Sequence, residues 1–403
     1  MNVVWVSPYL PLPVTTGGRR RIGSLMARLS RRHEITLVSF DRGEDTGARD
    51  ASRALVHEVH TVKRRSTKSA VNALLWAATP MPFMAVANGF HGAMVHRIRQ
   101  VVRETSPHII HCEHFHLWHT VARAREPSWP PVILSQQGVE FLVTQRFASV
   151  PGSPLLRAGL RIELQKARRW EIAACRAADA VVVVSDEDRR VLARYLPEAH
   201  LRVVENGVDA GEFCPGAAGI DPVGSLMLFV GTFSFFGNRD ALAYLVSDIL
   251  PSVRSVRRDA VLRVVGENPP TVEGEGVEYM GFVPSVVPHL QQARLLIAPL
   301  RTGSGTKLKL LEAMACGIPF VTTSFGAEGI VGADEAGLIA DDSQGLAAAT
   351  LRLLEDHDLA VRLGRRGREI VVDRYSWDAS AEALEGVWES IRVMRGEGHA
   401  ASD

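Results

Sequence analysis

The 403-residue sequence has little cysteine, and its four residues, Cys112, Cys175, Cys214 and Cys316, stand far apart without a Cys-x-x-Cys pair. That spacing argues against a disulfide framework and a zinc site, and suits a reducing cytosol. The chain also lacks an uninterrupted apolar run of the ~20 residues that a membrane-spanning helix needs. The nearest stretch, 71–90, is broken by Pro80 and Pro82. The opening MNVVWVSPYLPLP has no basic leader and is punctuated by prolines, so it reads as a strand and loop rather than a signal peptide. A cytoplasmic protein is expected, either free or peripheral at the inner face of the membrane.

Net charge is small overall, at +1, but the halves differ: residues 1–205 carry 29 Lys and Arg against 18 Asp and Glu, and 206–403 carry 17 against 27. A basic first half favours an anionic partner such as a phosphorylated acceptor or an anionic membrane surface; its plain alternative is solvated surface. No nucleic-acid partner is expected.

What is present is length enough for two domains and an alternation of strand and helix patterns, which predicts parallel sheets covered by helices. Strands are expected at 2–7, 34–40, 108–112, 131–135 and 180–184, and again at 226–231, 261–266, 277–282, 295–299 and 319–323. Helices are expected at 19–31, 155–178, 241–256, 307–315 and 376–394, and a loop at 41–54. The Gly-, Pro- and Asp-rich 206–224 marks a linker. The expected domains are 1–205 and 206–375, with the last helix crossing back onto the first. Two doubly wound domains of this kind face a central cleft at the carboxyl ends of their strands, where ligands bind.

The chemistry concentrates in 295–330, LLIAPLRTGSGTKLKLLEAMACGIPFVTTSFGAEGI. A buried strand gives way to a glycine-rich loop, Arg301 to Thr306, and then a helix. Glycines let the backbone approach a ligand, and the free N–H groups of a helix start, with a partial charge of about +0.5, form an anion site. Lys307 and Lys309 add charge, so a diphosphate fits; they point to different sides of the helix, and Lys309 is favoured for the phosphate. Glu312, five residues past Lys307, is placed to accept both hydroxyls of a ribose. The spacing is not that of a triphosphate P-loop.

This stretch closely resembles the donor-site signature of the retaining glycosyltransferases of family 4, which have the GT-B fold of two Rossmann-like domains. Other segments are similar to that family in order along the chain: Gly17-Gly18, ADAVVVVSDEDRRVL (178–192), VVENGVDAGEF (203–213), FVGTFSFFGNRDAL (229–242), GFVPSVVPHLQQARLLIAPL (281–300) and YSWDASAEALEGVWESI (375–391). The resemblance covers nearly the whole chain and is most diffuse over 40–130. It implies transfer of a sugar from a nucleoside diphosphate to a glycan, a lipid-linked acceptor or a small molecule, with no metal or other cofactor. Glu312 matches the second glutamate of the family's Glu-x7-Glu motif and would bind the ribose. Gly303, Gly305 and Thr306 fall at the diphosphate, Phe282 and Val283 near the base, Gly231 and Thr232 at the mouth of the donor cleft. Gly17 and Gly18 fall near the donor phosphate and acceptor.

Two positions depart from the pattern. Ser304 replaces the first glutamate, which contacts the transferred sugar. In SQQGVEF (135–141), Gln137 stands where the family has a histidine facing that sugar and Gly138 replaces an asparagine, while Glu140 is kept. Glutamine hydrogen-bonds a hydroxyl but is no general base. Ser304, Gln137 and Glu140 are therefore the catalytic candidates. In the family's retaining chemistry the leaving phosphate helps to deprotonate the acceptor, and the protein's task is electrostatic.

Several other residues carry two readings. HCEHFHLWH (111–119) suggests acceptor contact through Glu113 and His114, a metal site, or plain loop histidines. Arg19, Arg20 and Arg21 open a helix where cations oppose the dipole, which points to a ligand role, Arg19 first, or to solvated arginines. Ser185 to Asp188 reads as a capping box or an acidic metal triplet. The stretch 71–90, with Lys63, Arg64, Arg65 and Lys68 upstream, reads as a helix lying on a membrane or as a core helix. A nucleotide-sugar epimerase of the same fold and a non-catalytic sugar-nucleotide binder are the rival functions.

Overall fold

The structure, a computed structural model, describes all residues except 42, 44–46, 65, 67, 68, 90, 149–153, 217–223 and 401–403. Arg65, Lys68, Phe90 and most of the expected linker's second half lie outside the described residues. The chain forms two compact units: Met1–Glu205 together with Ser380–Asp403, and Asn206–Ala379.

The first unit is built on seven parallel strands: β1 (Asn2–Ser7), β2 (Glu34–Asp41), β3 (Glu58–Lys63), β4 (Ile109–Glu113), β5 (Val132–Ser135), β6 (Ala180–Val183) and β7 (Leu201–Val203), in the order β3-β2-β1-β4-β5-β6-β7. Central strands such as β4, β5 and β6 are buried at every position. They read as continuous apolar runs because helices cover both faces. The order reverses between β2 and β4 around β1, with Val3 paired to Ile35 on one side and to Ile109 on the other. The loops leaving Ser7 and Glu113 therefore open at the switch point where doubly wound sheets bind ligands. The last helix, Trp377–Ala400, places Trp388 edge-on to Trp5 of β1, ring centroids 5.8 Å apart. Such pairs add ~0.5–1.5 kcal/mol to the burial itself.

The second unit repeats the plan with β8 (Leu226–Val230), β9 (Val261–Val265), β10 (Val277–Gly281), β11 (Leu295–Ala298), β12 (Phe320–Thr322) and β13 (Gly337–Ile339), ordered β10-β9-β8-β11-β12-β13. The reversal falls beside β8, so the loops after Val230 and Ala298 share its switch point. The apolar runs of β8, β11 and β12 supply the centre of its core.

Some elements differ from the sequence reading. β3, β7 and β13 are short edge or near-edge strands whose polar or three-residue sequences carry no alternation to detect. A short helix, Ala48–Arg53, lies inside the stretch read as loop. The helix expected from 241 begins at Phe236 and passes through a π turn at Leu245–Ile249. Pro251 lies just beyond it; proline cannot donate to the carbonyl four residues back, and the widened turn accommodates that loss. Gly17 and Gly18 form the first turn of the helix Gly17–Leu29 rather than a loop before it. Among the described residues, no helix is long and apolar enough to cross a membrane. The stretch 71–90 divides: the helix Ala70–Ala78 leaves Val71 and Leu74 exposed, whereas Met81, Ala85 and Val86 are buried.

Candidate active site

In the second unit the loop after β11 carries the site. Gly303 and Gly305 have φ of 124° and 67°, conformations that side-chain-bearing residues reach only under strain. Thr302, Thr306 and Glu312 are buried. Lys307 caps the helix Leu308–Ala315 rather than opening it. Its Nζ donates to the Gly305 carbonyl at 2.6 Å and lies 4.3 Å from the Phe325 ring centroid. Lys309 Nζ donates to Asn238 Oδ1 at 2.8 Å and sits over Phe229. Burial pushes the Lys309 ammonium down to about 7; Glu312 opposes that and Lys307 adds to it. Glu312 follows Lys309 by three residues, on the same helix face.

The loop after β8 meets this one. Asn238 Nδ2 donates to the Thr232 carbonyl at 2.9 Å, so one amide joins Thr232 to Lys309. Space is tight around it: a β-carbon on Gly231 would stand 3.0 Å from Asn238 Cγ, and one on Gly237 would stand 2.8 Å from Thr302 Oγ1. Arg301 is engaged by Asp240 through two bonds of 3.0 and 2.7 Å and stacks on Tyr244. Phe282, at the carboxyl end of β10, is 62% exposed, an open aromatic face of the kind that accepts a base; Val283 beside it is half-buried. Gly231, Thr232, Gly303, Gly305, Thr306, Lys307, Lys309 and Glu312 thus belong to two adjoining loops and the helix that follows. Sequence reading missed Asn238, because Gly-Asn at a helix start is an ordinary turn pattern.

In the first unit the candidates gather around Tyr9. Its hydroxyl lies 3.1 Å from His114 Nε2. A β-carbon on Gly18 would stand 2.3 Å from Tyr9 Oη and 2.6 Å from Gln137 Oε1; glycine is what lets these three elements meet. Gln137 Nε2 donates to Glu113 Oε2 at 3.2 Å. Thr16 caps the helix by accepting from the Arg19 amide at 3.2 Å. The Arg19 guanidinium donates to the Pro13 carbonyl at 3.1 Å and lies 5.9 Å from the Tyr9 ring. Gly17 is exposed beside it. The segment holding Gln137 is tied down by Glu171, whose buried carboxylate accepts from Gln136 Nε2 and from the Glu140 and Phe141 amides at 2.9–3.0 Å. Burial nonetheless pushes the Glu171 carboxyl up to about 8. Burial and the nearby Glu163 push that of Glu140 up to about 7. Ser304, the third catalytic candidate, lies in the second unit.

Three expectations need correction. Glu113 is fully buried and faces His111 and Gln137, so it does not present itself to an acceptor. Arg21 is buried as well, donating to the carbonyls of Val204 and Glu205 at 3.0 and 3.1 Å. It anchors the first helix to the end of β7 and is neither a ligand group nor a solvated one. Of the four histidines of 111–119, only His114 lies in a loop, at the turn after β4; His111 lies in β4, and His116 and His119 lie on the helix Phe115–Ala124. Ser185 is a cap, accepting from the Asp188 amide at 3.1 Å and bonding its carboxylate at 3.0 Å. Among the described residues, no three His, Cys, Asp or Glu side chains converge to hold a metal ion.

Two Rossmann-like units, each with a polar site at its switch point, define the GT-B class. Solved structures share that fold over almost the whole chain. Sucrose-phosphate synthase from Thermosynechococcus elongatus matches 98% of this chain and 99% of its own with a TM-score of 0.74 at 17% identity. HepE from Anabaena, in complex with UDP-glucose, covers 97% of this chain and 100% of its own with a TM-score of 0.70 at 13% identity. Residues 15–212 match Glycosyltransferase Family 4, and residues 224–356 match Glycosyl transferases group 1. The chain belongs to glycosyltransferase family 4. The phosphatidyl-myo-inositol mannosyltransferase of Mycobacterium leprae is 30% identical over 235 residues, 55% of this chain and 62% of that relative. The match therefore spans less than two thirds of the curated relative's length.

Proposed function

We propose that the protein is a retaining, metal-independent glycosyltransferase that moves a sugar from a nucleoside diphosphate onto a glycan, a lipid-linked acceptor or a small molecule. The observation that carries this is the enclosed Lys309 ammonium, held by Asn238 beside a loop with two glycines at positive φ and one helical turn before Glu312. Glu312 takes the ribose hydroxyls; the loop amides and Lys309 take the diphosphate; Phe282 and Val283 flank the base. As the C1–O bond to the diphosphate breaks, the acceptor oxygen bonds C1 on the same face. The acceptor proton passes to the departing phosphate oxygen. Gln137, with no basic nitrogen, orients a hydroxyl and takes no proton. Lys309 and the amides supply the charge stabilisation that a metal ion supplies elsewhere.

The donor class is supported by the UDP-glucose held by HepE and by the mannosyl transfer named for the mycobacterial relative. That relative's name also favours a lipid-linked acceptor. A membrane contact through the first unit fits Val71 and Leu74, half or more exposed on the helix Ala70–Ala78. The helix Pro154–Ala177, joined to the shorter one by Trp76 and Glu163 at 2.6 Å, exposes Ile162 and the basic Arg157 and Arg161 nearby.

The test is thermal unfolding of wild type and Glu312→Ala with UDP, GDP, dTDP and ADP, then with the matching sugar nucleotides. A ligand at 100 times its Kd stabilises by about 2.7 kcal/mol. One nucleotide should stabilise wild type and not the variant; equal responses, or none, would overturn the donor-site assignment.

A further inference from the structure

Four side chains of the first unit are joined end to end: Trp388, His111, Glu113 and Gln137. The first three are buried to within 1%. An indole N–H only donates, so His111 Nδ1, 3.3 Å from Trp388 Nε1, must accept. An imidazole that accepts at Nδ1 carries its proton on Nε2, and that atom lies 3.2 Å from Glu113 Oε1. The other oxygen, Oε2, faces the side-chain nitrogen of Gln137 at 3.2 Å. Burial disfavours the charge on Glu113, but His111, His114 and Arg21 outweigh it and hold the carboxyl below its ordinary range. An ionised carboxylate only accepts, so the Gln137 amide has one permitted orientation, with Nε2 inward and Oε1 outward. Oε1 lies over Gly18, 2.6 Å from where a β-carbon would stand. Among the described residues it makes no hydrogen bond.

We propose that Glu113 is a positioning residue that fixes the Gln137 carbonyl oxygen as an acceptor for a hydroxyl of the bound sugar, and that His111 and Trp388 fix Glu113 in turn. An unrestrained glutamine offers either end of its amide and so accepts a hydroxyl, an ether oxygen or a carbonyl. A pinned one recognises only a group that donates. This gives a substituted position, where the family pattern has a histidine, a defined selectivity without any proton transfer. It also explains why a glutamate is buried at the end of β4: its charge is needed to break the symmetry of the amide. The inference rests on the glycosyltransferase reading above.

The experiment measures nucleoside diphosphate release from UDP-glucose and GDP-mannose, with water as acceptor, for wild type, Glu113→Gln, Gln137→Ala and the double variant. Glu113→Gln keeps the size of the side chain and lets the Gln137 amide turn over. Each single change should slow release roughly 10- to 100-fold, and the double variant should be no slower than Gln137→Ala alone. Independent, multiplying losses would mean that Glu113 acts by another route, and would overturn the inference. Trp388→Phe keeps an aromatic ring, though a smaller one, and deletes the N–H, so it tests the same chain if Glu113→Gln fails to fold. It should slow wild type and leave Gln137→Ala unaffected; the same loss in both backgrounds overturns the inference. Release by wild type with no effect of Glu113→Gln sinks the inference and spares the enzyme. No release by wild type, with no thermal stabilisation by any nucleotide, sinks both.

Discussion

Lys309 donates to Asn238 at 2.8 Å, linking the helix after β11 to the first turn of the helix Phe236–Tyr244 after β8 through an amine with a neutral partner. An enclosed ammonium whose hydrogen bond goes to a neutral amide, with Glu312 nearby and Lys307 opposing, is incompletely compensated, which is why burial lowers its pKa to about 7 from an ordinary 10.5. An arriving diphosphate would supply the missing negative charge.

The pH dependence of stability follows. Between about 7 and 10.5 the unfolded chain holds a proton on Lys309 that the folded chain lacks, so that residue's penalty shrinks as pH rises. Lys309→Met should be more stable than wild type below pH 7, and the advantage should disappear as pH approaches 10.5. Urea unfolding of both proteins across that range is the measurement. The variant should also lose all stabilisation by nucleoside diphosphates.

Gly303→Ala should cost about 1–3 kcal/mol through backbone strain. Its φ of 124° lies outside even the left-handed helical region. Denaturant midpoints would show the loss, and nucleotide titrations should show weaker binding because the loop amides move with it.

Gly18→Ala acts through side chains instead of backbone. Its new β-carbon would stand 2.3 and 2.6 Å from the ends of Tyr9 and Gln137, both of them held by hydrogen bonds, so displacing them should cost about 1–3 kcal/mol. Turnover should fall roughly tenfold or more, because those two side chains are the ones displaced.

Arg21→Met should destabilise the first unit by about 2–4 kcal/mol, as the buried Val204 carbonyl and the half-buried Glu205 carbonyl lose this donor. Tryptophan fluorescence during urea unfolding would follow it.

Leu74→Glu should weaken sedimentation with phosphatidylglycerol vesicles while leaving stability within about 0.5 kcal/mol, since Leu74 is 70% exposed. Unchanged sedimentation would place any membrane contact elsewhere.

The legible parts of the molecule were those encoded locally. Strands such as 2–7 and 295–298 are apolar runs each followed at once by a proline, and the glycines at 303 and 305 announce a backbone that turns where side chains fit poorly. Of the edge strands, β10 was legible but β3, β7 and β13 escaped notice, because a three-residue strand like β13 owes its conformation to its neighbour's hydrogen bonds and not to its own pattern. Asn238, Tyr9 and Glu171 escaped for a related reason: each matters through a partner distant in sequence.

The sequence by itself determined the alternation of strands and helices, the two-unit plan, and the glycine-rich loop with its lysines and Glu312. These depend on periodicity and backbone freedom, which adjacent residues carry. Only the tertiary structure decided that Glu113 supports Gln137 instead of meeting a ligand, that Arg21 is an anchor, and that Lys309 is enclosed. Exposure and charge state depend on which groups lie across the fold, and on how much water they leave between them.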